Sequence, residues 1–228
     1  MKMLKLKHCI LPAFLLTAGI CKAQDTASSR YKTTYYVQKV TQFRLIKDTE
    51  TGEVIFLGDS ITDIAEWADL LKNYKVKNRG ISGDNTYGVL ARLDEIISRK
   101  PAKVFIMIGI NDIANNTSDS IITANYRVII ERLQKALPAT IIYIQSILPT
   151  NDAFTEFKRH QGKDVHIQFV NNYLQQLAVE KKCTWVNLYD VMKNADGKLD
   201  TRFTNDGLHL TGDGYITWIN TLRTKKLL

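Results

Sequence analysis

The feature that most constrains the fold is an alternation of short apolar runs with segments of helical periodicity. Five runs are predicted to be buried strands: Val54–Gly58, Val76–Asn78, Val104–Gly109, Thr140–Gln145 and Thr184–Leu188. Runs that are apolar throughout are typical of a parallel sheet with helices on both faces, because a sheet with one face in water alternates apolar and polar residues. The alternation therefore predicts an α/β fold with a five-stranded parallel sheet.

The segments between these runs carry apolar residues three and four positions apart, which is the spacing of one helix face. The segments with this spacing are Leu90–Ile97, Ile122–Leu137 and Ile167–Leu177, and a last helix is predicted over Gly212–Leu222. A further helix is predicted over residues 33–47, after a polar lead-in at residues 24–32. Together these elements predict helices on both sides of the sheet.

The length and composition favour one globular domain. At 228 residues the chain is within the range of a single domain. Its 45% hydrophobic and 24% charged residues exclude a disordered, collagen-like or coiled-coil protein. A core of this size needs neither disulfides nor metals to hold it. We expect the domain to occupy residues 50–228.

The formal net charge of +8 is concentrated at the N-terminus. The first 23 residues hold four lysines and no acidic residue, and the rest of the chain has 27 Lys and Arg against 23 Asp and Glu. The remaining excess of +4 is small. It gives little support to nucleic-acid binding, which calls for a basic patch or stripe.

The same N-terminal segment has the pattern of a secretory signal peptide over residues 1–23. Its lysine-rich start precedes the apolar run Cys9–Ile20, and small residues at Cys21 and Ala23 suit cleavage after Ala23. The run is shorter than the roughly 20 residues of a membrane-spanning helix. We therefore expect export to the periplasm or the extracellular space, without stable membrane insertion. The alternatives are an N-terminal core helix and a lipoprotein acylated at Cys21, which the large Ile20 disfavours.

One cysteine, Cys183, remains after removal of the signal peptide. A single cysteine excludes an internal disulfide. Cys183 opens an apolar run, so we interpret it as a buried structural thiol rather than a nucleophile.

Three short polar blocks follow predicted strands, and a fourth precedes the last helix. The blocks are Gly58–Thr62, Asn78–Asn85, Gly109–Asp112 and Asp206–His209. Ligands bind at the carboxyl ends of the strands in parallel α/β sheets, so these positions are candidates for a site. Each block alone has a simpler interpretation, namely a turn or a residue that caps the next helix.

Taken together, the four blocks hold the groups that acyl transfer needs. Ser60 offers a hydroxyl at a strand-to-helix turn, and Gly83 can bring its backbone N–H close to a ligand. Asn111 offers an amide donor. Asp206 lies three residues before His209 and can orient its imidazole. The other histidines of the mature chain, at positions 160 and 166, fall in or beside a charged segment and are predicted to be solvated.

At these residues the sequence resembles the SGNH, or GDSL-type, hydrolase family, which is named for the serine, glycine, asparagine and histidine found here as Ser60, Gly83, Asn111 and His209. The resemblance covers residues 50–222. Within the family, the runs Asn78–Asp84 and Asp206–Leu210 are most similar to the branch related to platelet-activating-factor acetylhydrolase and sialate O-acetylesterase. It implies a flavodoxin-like three-layer α/β/α sandwich, in agreement with the alternation above.

The resemblance also implies a role for each group. Ser60 would be the nucleophile, His209 the general base and Asp206 the residue that orients His209. The backbone N–H groups of Ser60 and Gly83, with the side chain of Asn111, would form the oxyanion hole. The neighbouring carboxylates at positions 59 and 112 are interpreted as structural hydrogen-bonding groups. No cofactor is implied, and the sequence has no motif typical of a metal site.

These inferences predict a secreted serine esterase that removes short acyl groups, acetyl above all, from a small-molecule or glycan ester such as an O-acetylated carbohydrate. The alternatives are a lipase or lysophospholipase and a non-catalytic carbohydrate-binding module of the same fold. Substrate choice is expected to lie in loops such as Thr150–Asp164. Its basic residues Lys158, Arg159 and Lys163 are interpreted as solvated. The sequence leaves the oligomeric state open.

Overall fold

The computed structural model describes residues 29–46 and 50–228. The described residues form a five-stranded parallel sheet in the order β2-β1-β3-β4-β5. The strands are β1 (Val54–Gly58), β2 (Val76–Gly80), β3 (Lys103–Met107), β4 (Ile141–Gln145) and β5 (Thr184–Val186). This order is that of flavodoxin-like sheets, so the predicted fold class is confirmed. The predicted signal peptide lies outside the described residues.

The predicted strands are found in place, with shifts at their ends. β3 stops at Met107 rather than at Gly109, because the Ile108 N–H donates to the Tyr126 hydroxyl at 3.2 Å instead of to a neighbouring strand, and Gly109 adopts a φ of +125°. β5 stops at Val186 rather than at Leu188. There the backbone N–H groups of Leu188 and Tyr189 donate to the Ser146 hydroxyl, each at 2.8 Å, and the chain turns into a helix.

The helices flank the sheet. They are α1 (Thr34–Leu45), α2 (Ser60–Asp63), α3 (Trp67–Leu71), α4 (Thr86–Arg99), α5 (Ile110–Ala114), α6 (Asp119–Ala136), α7 (Asp164–Glu180), α8 (Tyr189–Met192) and α9 (Gly212–Thr224). The long helices follow the predicted periodicity; the apolar face of α6, for example, is buried along its length. The short helices α2, α3, α5 and α8 span too few residues to show a period.

An aromatic row runs across one face of the sheet. Parallel register aligns Phe56 with Phe105 and Phe105 with Tyr143, and their rings stack at 4.8 and 4.2 Å between centroids. The Trp67 ring of α3 stacks on Phe56 at 3.9 Å. The Trp218 indole of α9 packs edge-on to Trp67 at 4.9 Å. This buried row fixes α3 and α9 against the strands whose ends carry the polar blocks.

The carboxyl ends of the strands meet at one edge of the sheet, where α2 packs unusually close. A Cβ atom at Gly80 would lie 2.2 Å from the backbone nitrogen of Asp63, and one at Gly58 would lie 2.2 Å from the Thr62 hydroxyl. Because glycine has no Cβ, α2 can lie directly over the ends of β1 and β2. This close approach sets the position of Ser60, the first residue of α2.

Candidate active site

Ser60 begins α2 directly after β1. Asp59 caps this helix, since its Oδ1 accepts the backbone N–H of Ile61 at 3.0 Å. The Tyr215 hydroxyl of α9 donates to the Ile61 carbonyl at 2.8 Å. These two contacts hold the turn from both sides. The Ser60 residue is 8% exposed, so its hydroxyl lies in a crevice at the sheet edge.

A chain of hydrogen bonds joins Ser60 to His209 and Asp206. The Nε2 atom of His209 lies 2.9 Å from Ser60 Oγ, and its Nδ1 lies 2.7 Å from Asp206 Oδ2. A carboxylate only accepts hydrogen bonds, so Nδ1 carries the proton in the neutral imidazole. Nε2 is then free to accept the serine proton. The structure therefore brings together three of the residues singled out from the sequence.

The Asp206 carboxylate is held by its own turn. Its Oδ1 accepts the backbone N–H groups of Leu208 and His209 at 2.8 and 2.7 Å. Burial works to raise the pKa of Asp206, but the bonds from the His209 side chain and from these two N–H groups outweigh it and hold the pKa below its ordinary value. Asp206 is therefore ionised at neutral pH.

Three of the four blocks each supply an N–H proton that has no partner among the described residues. The backbone N–H groups of Ser60 and Gly83 make no hydrogen bond within the part of the chain that the structure describes. Gly83 has a φ of +80° and open space where a Cβ would be. The Asn111 side chain donates one Nδ2 proton to the Asp84 carbonyl at 2.9 Å and has a second proton to give. All four blocks thus supply groups of the kind expected for acyl transfer.

A buried ion pair underlies this edge of the sheet. The Asp84 carboxylate pairs with Arg92 at 2.8 Å, and both side chains are buried. Asp84 is therefore not the helix cap that the simpler interpretation of its block suggests. The helix cap of α4 is Asn85, whose side chain accepts the Gly88 N–H at 3.0 Å. Arg92 also donates to the Gly58 and Arg79 carbonyls at 3.1 and 2.9 Å. It thereby ties together the ends of β1 and β2.

Asp59 and Asp112 are fully buried beside the same strands. Asp112 accepts the hydroxyl and the backbone N–H of Thr86 at 2.6 and 3.0 Å. Burial raises the pKa of Asp59 and of Asp112 to about 7 in each case. Their contacts are with the backbone and with Thr86, which agrees with their interpretation as structural hydrogen-bonding groups.

The expectation that His160 is solvated is wrong. A 3₁₀ turn over Lys158–His160 leaves the two basic residues exposed and turns the imidazole inward, where His160 is 5% exposed. Its Nε2 lies 3.1 Å from Asn111 Oδ1. Burial lowers the pKa of His160 to about 4, so the ring is neutral at physiological pH. Nothing in the local pattern of this charged segment signals that the ring is buried; His166, by contrast, is exposed as predicted.

The same loop carries an aromatic residue to the site. Phe157 adopts a left-handed conformation, with φ at 48°, and its residue is 43% exposed. Its ring stands edge-on to the imidazole of His209, with 4.7 Å between centroids. Sequence reasoning assigned substrate choice to this loop in general but did not identify Phe157, because a positive φ at a residue other than glycine has no sequence signal.

Cys183 is not a candidate nucleophile. Burial raises the pKa of the partly buried Cys183 thiol to about 11, which keeps it protonated and unreactive. Over residues 29–46 and 50–228, no group of His, Cys, Asp or Glu side chains could hold a metal ion. In the same ranges no helix has the length and apolar character to span a membrane.

Comparison with protein families gives one match that spans most of the chain. The model of the GDSL-like lipase/acylhydrolase family matches residues 56–215. The matched region runs from β1 to α9 and includes all four polar blocks.

Individual relatives agree with this match. Rat platelet-activating factor acetylhydrolase IB subunit alpha2 is 27% identical over 178 residues, which cover 74% of this chain and 73% of the relative. The crystal structure of a GDSL-like lipase from Bacteroides thetaiotaomicron is 27% identical with a TM-score of 0.73, and the match covers 85% of this chain and 98% of that one. An acetylxylan esterase from Geobacillus stearothermophilus shares the fold, at 20% identity and a TM-score of 0.61, over 78% of this chain and 95% of that one.

Proposed function

The chain belongs to the GDSL-like lipase/acylhydrolase family and is a carboxylic ester hydrolase, and from this premise we propose that it is a serine esterase that removes short acyl groups, acetyl above all, from O-acetylated carbohydrates. The observation that carries the proposal is the hydrogen-bonded chain from Ser60 through His209 to Asp206, with distances of 2.9 and 2.7 Å. A serine hydroxyl is unreactive at its free pKa and needs such a base to become a nucleophile.

In the first half of the reaction, Ser60 Oγ attacks the ester carbonyl carbon while His209 Nε2 takes the hydroxyl proton. The carbonyl oxygen becomes an oxyanion and accepts the unused N–H groups of Ser60, Gly83 and Asn111. The loss of one donor of this kind typically costs about 100- to 1,000-fold in rate. The ionised Asp206 stabilises the imidazolium that forms on His209.

The intermediate then collapses and the alcohol leaves. The bond between the carbonyl carbon and the alkoxy oxygen breaks, and His209 gives its proton to the departing oxygen. Water attacks the acyl-serine in the same way, with His209 as base, and releases the carboxylic acid with Ser60 restored. The leaving group therefore departs on the side of the site where the His209 ring lies.

Two features support an acetyl ester of a sugar. The rat relative is named an acetylhydrolase, which supports a short acyl group. The half-exposed Phe157 ring beside His209 supports a sugar as the leaving group, because the C–H face of a sugar packs well on an aromatic ring. The adjoining rim is polar and basic, with Lys158 and Arg159 exposed.

The test is a panel of esters assayed with the wild-type protein and with Phe157→Ala. We expect p-nitrophenyl acetate to be turned over faster than its longer-chain homologues, and acetylated xylo-oligosaccharides to release acetate. Phe157→Ala should raise KM for the acetylated oligosaccharide and leave KM for ethyl acetate, the small-alcohol control, nearly unchanged. A preference for long acyl chains would instead favour the lipase alternative.

We also propose that the protein is exported, with cleavage after Ala23. The lysine-rich start, the short apolar run and the small residues at the cleavage site support this. Mass spectrometry of protein isolated from its native cells should show Gln24 at the N-terminus. A retained Met1 would contradict export by this route, and a lipid on Cys21 would replace it with membrane anchoring.

A further inference from the structure

The Asn111 amide is held at both ends. Its Nδ2 donates to the Asp84 carbonyl at 2.9 Å, and its Oδ1 lies 3.1 Å from His160 Nε2. A single hydrogen bond leaves an amide free to swing about its last side-chain torsion, which is broad. Contacts at opposite ends fix the amide plane. Among the described residues, His160 is the only one whose side chain hydrogen-bonds to Asn111 Oδ1.

The Asp84 carbonyl also determines the tautomer of His160. A carbonyl oxygen can only accept, so the amide nitrogen of Asn111 faces Asp84 and the amide oxygen faces His160. That oxygen needs a donor, and therefore His160 carries its proton on Nε2. The imidazole is buried, so bulk water does not compete with the amide oxygen for this proton.

We propose that His160 is a positioning residue for the oxyanion hole: its Nε2–H holds the Asn111 amide so that the second Nδ2 proton stays directed at the oxyanion. This inference rests on the proposed function, in which Asn111 is one of three oxyanion donors. The donor is useful only if it is preorganised before the charge develops. The loop that brings Phe157 to His209 therefore also completes the oxyanion hole.

A purely structural role for His160 would give different kinetics. If the ring merely filled space under the loop, its loss would disturb substrate binding and folding in general. If it acts through Asn111, its loss should lower kcat with little change in KM, because the oxyanion forms during the reaction and is absent from the bound ester. Its effect should also disappear once Asn111 can no longer donate.

The experiment is a double-mutant cycle on p-nitrophenyl acetate hydrolysis. His160→Leu removes the donor at similar size, His160→Gln keeps an N–H at the same reach, and Asn111→Ala removes the amide. Thr150→Val is the matched control, since it removes a hydroxyl that donates to the His160 carbonyl at 3.2 Å and leaves the imidazole and its contact with Asn111 in place. Thermal melts establish that each variant is folded, and His160→Ala replaces His160→Leu in the cycle if the latter is not.

We expect His160→Leu to lower kcat about 10- to 100-fold with KM within about threefold, a part of the loss typical for a whole donor. His160→Gln should recover most of this, Thr150→Val should stay near wild type, and His160→Leu with Asn111→Ala should be no slower than Asn111→Ala alone. Fully additive losses, or a change confined to KM, would overturn the inference.

Ser60→Ala separates the proposed function from the positioning role of His160. Retained hydrolysis in Ser60→Ala would overturn both. An inactive Ser60→Ala together with additive losses in the cycle would overturn only the role of His160.

Discussion

At the scale of single residues, the hydrogen bonds of each side chain in the candidate site determine what it can do in the reaction. Asp206 uses one oxygen for two backbone N–H groups and the other for His209, so it is fully occupied as an orienting group. His209 has one nitrogen on Asp206 and the other on Ser60. The proton can therefore move between Ser60 and His209 without any side chain changing its partner.

Asp206→Asn tests this division of roles. The Asn oxygen can still accept the two backbone N–H groups, which leaves its NH₂ group facing His209 Nδ1. His209 would then carry its proton on Nε2, where it cannot accept from Ser60. We expect kcat for p-nitrophenyl acetate to fall by about 10,000-fold, as for the equivalent change in the serine protease triad.

Asp206→Asn and wild type should melt at similar temperatures, because the turn is preserved. A loss below about tenfold would contradict the assignment of Asp206 as the group that orients His209.

The residue scale also shows where sequence reasoning stops. Ser60, Asn111 and the Asp206–His209 pair were predicted because each follows a strand or precedes a helix at short, fixed spacing. His160 was not, because it contacts Asn111 across 49 positions of sequence. The burial of its ring depends on the path of an irregular loop, which no periodicity encodes.

At the scale of secondary-structure elements, the ends of β1 and β2 are joined by the buried pair of Arg92 and Asp84. The guanidinium of α4 reaches the last residue of β1 and a residue of β2, while its partner carboxylate belongs to the loop that carries Gly83. The strand positions could be predicted from apolar runs. The pair could not, because charged residues on a predicted helix are usually exposed.

Arg92→Met should therefore destabilise the protein strongly, since it leaves the Asp84 carboxylate buried without a counter-charge. Loss of one partner of a buried pair typically costs about 3–5 kcal/mol. The measurement is the free energy of unfolding in urea at neutral pH. Asp84→Asn combined with Arg92→Met is the control and should recover a large part of the loss, because no unpaired charge remains.

If Arg92→Met and the combined variant were equally destabilised, the loss would lie in packing and in the bonds to the strand carbonyls rather than in the unpaired charge.

At the scale of the whole molecule, the sheet edge concentrates buried carboxyl groups, and this makes stability depend on pH. Burial raises the pKa of Asp59 from its ordinary value of 3.8 to about 7, and no cation pairs with it among the described residues. The stability that this group contributes is fully present below the ordinary value, where the group is protonated in both states. It is lost as the pH rises through about 7, because the folded state must then bury a charge.

Asp59→Asn removes this titration and keeps an oxygen to cap α2. We expect the difference in melting temperature, Asp59→Asn minus wild type, to be several degrees larger at pH 8 than at pH 5. Thermal melts of both proteins across this pH range check the expectation. A difference in melting temperature that is the same at every pH would contradict it.

The fold as a whole follows from the alternation of apolar strands and periodic helices, and the site follows from the requirement that parallel strands end at one edge. These two facts place Ser60, Gly83 and Asn111 on adjacent strand ends. What lies over that edge, namely the loop with Phe157 and His160, is set by tertiary contacts. Substrate choice is the property that depends most on it.

The most direct test of the central claim is to trap the acyl-enzyme. The mature protein is mixed with p-nitrophenyl acetate, quenched in acid within one turnover, digested and analysed by mass spectrometry. A serine nucleophile leaves an acetyl group, about 42 Da, on the peptide that contains Ser60, and Ser60→Ala and His209→Ala leave none. An acetyl group on another residue of the wild type, or hydrolysis that proceeds at full rate in Ser60→Ala, would contradict the account.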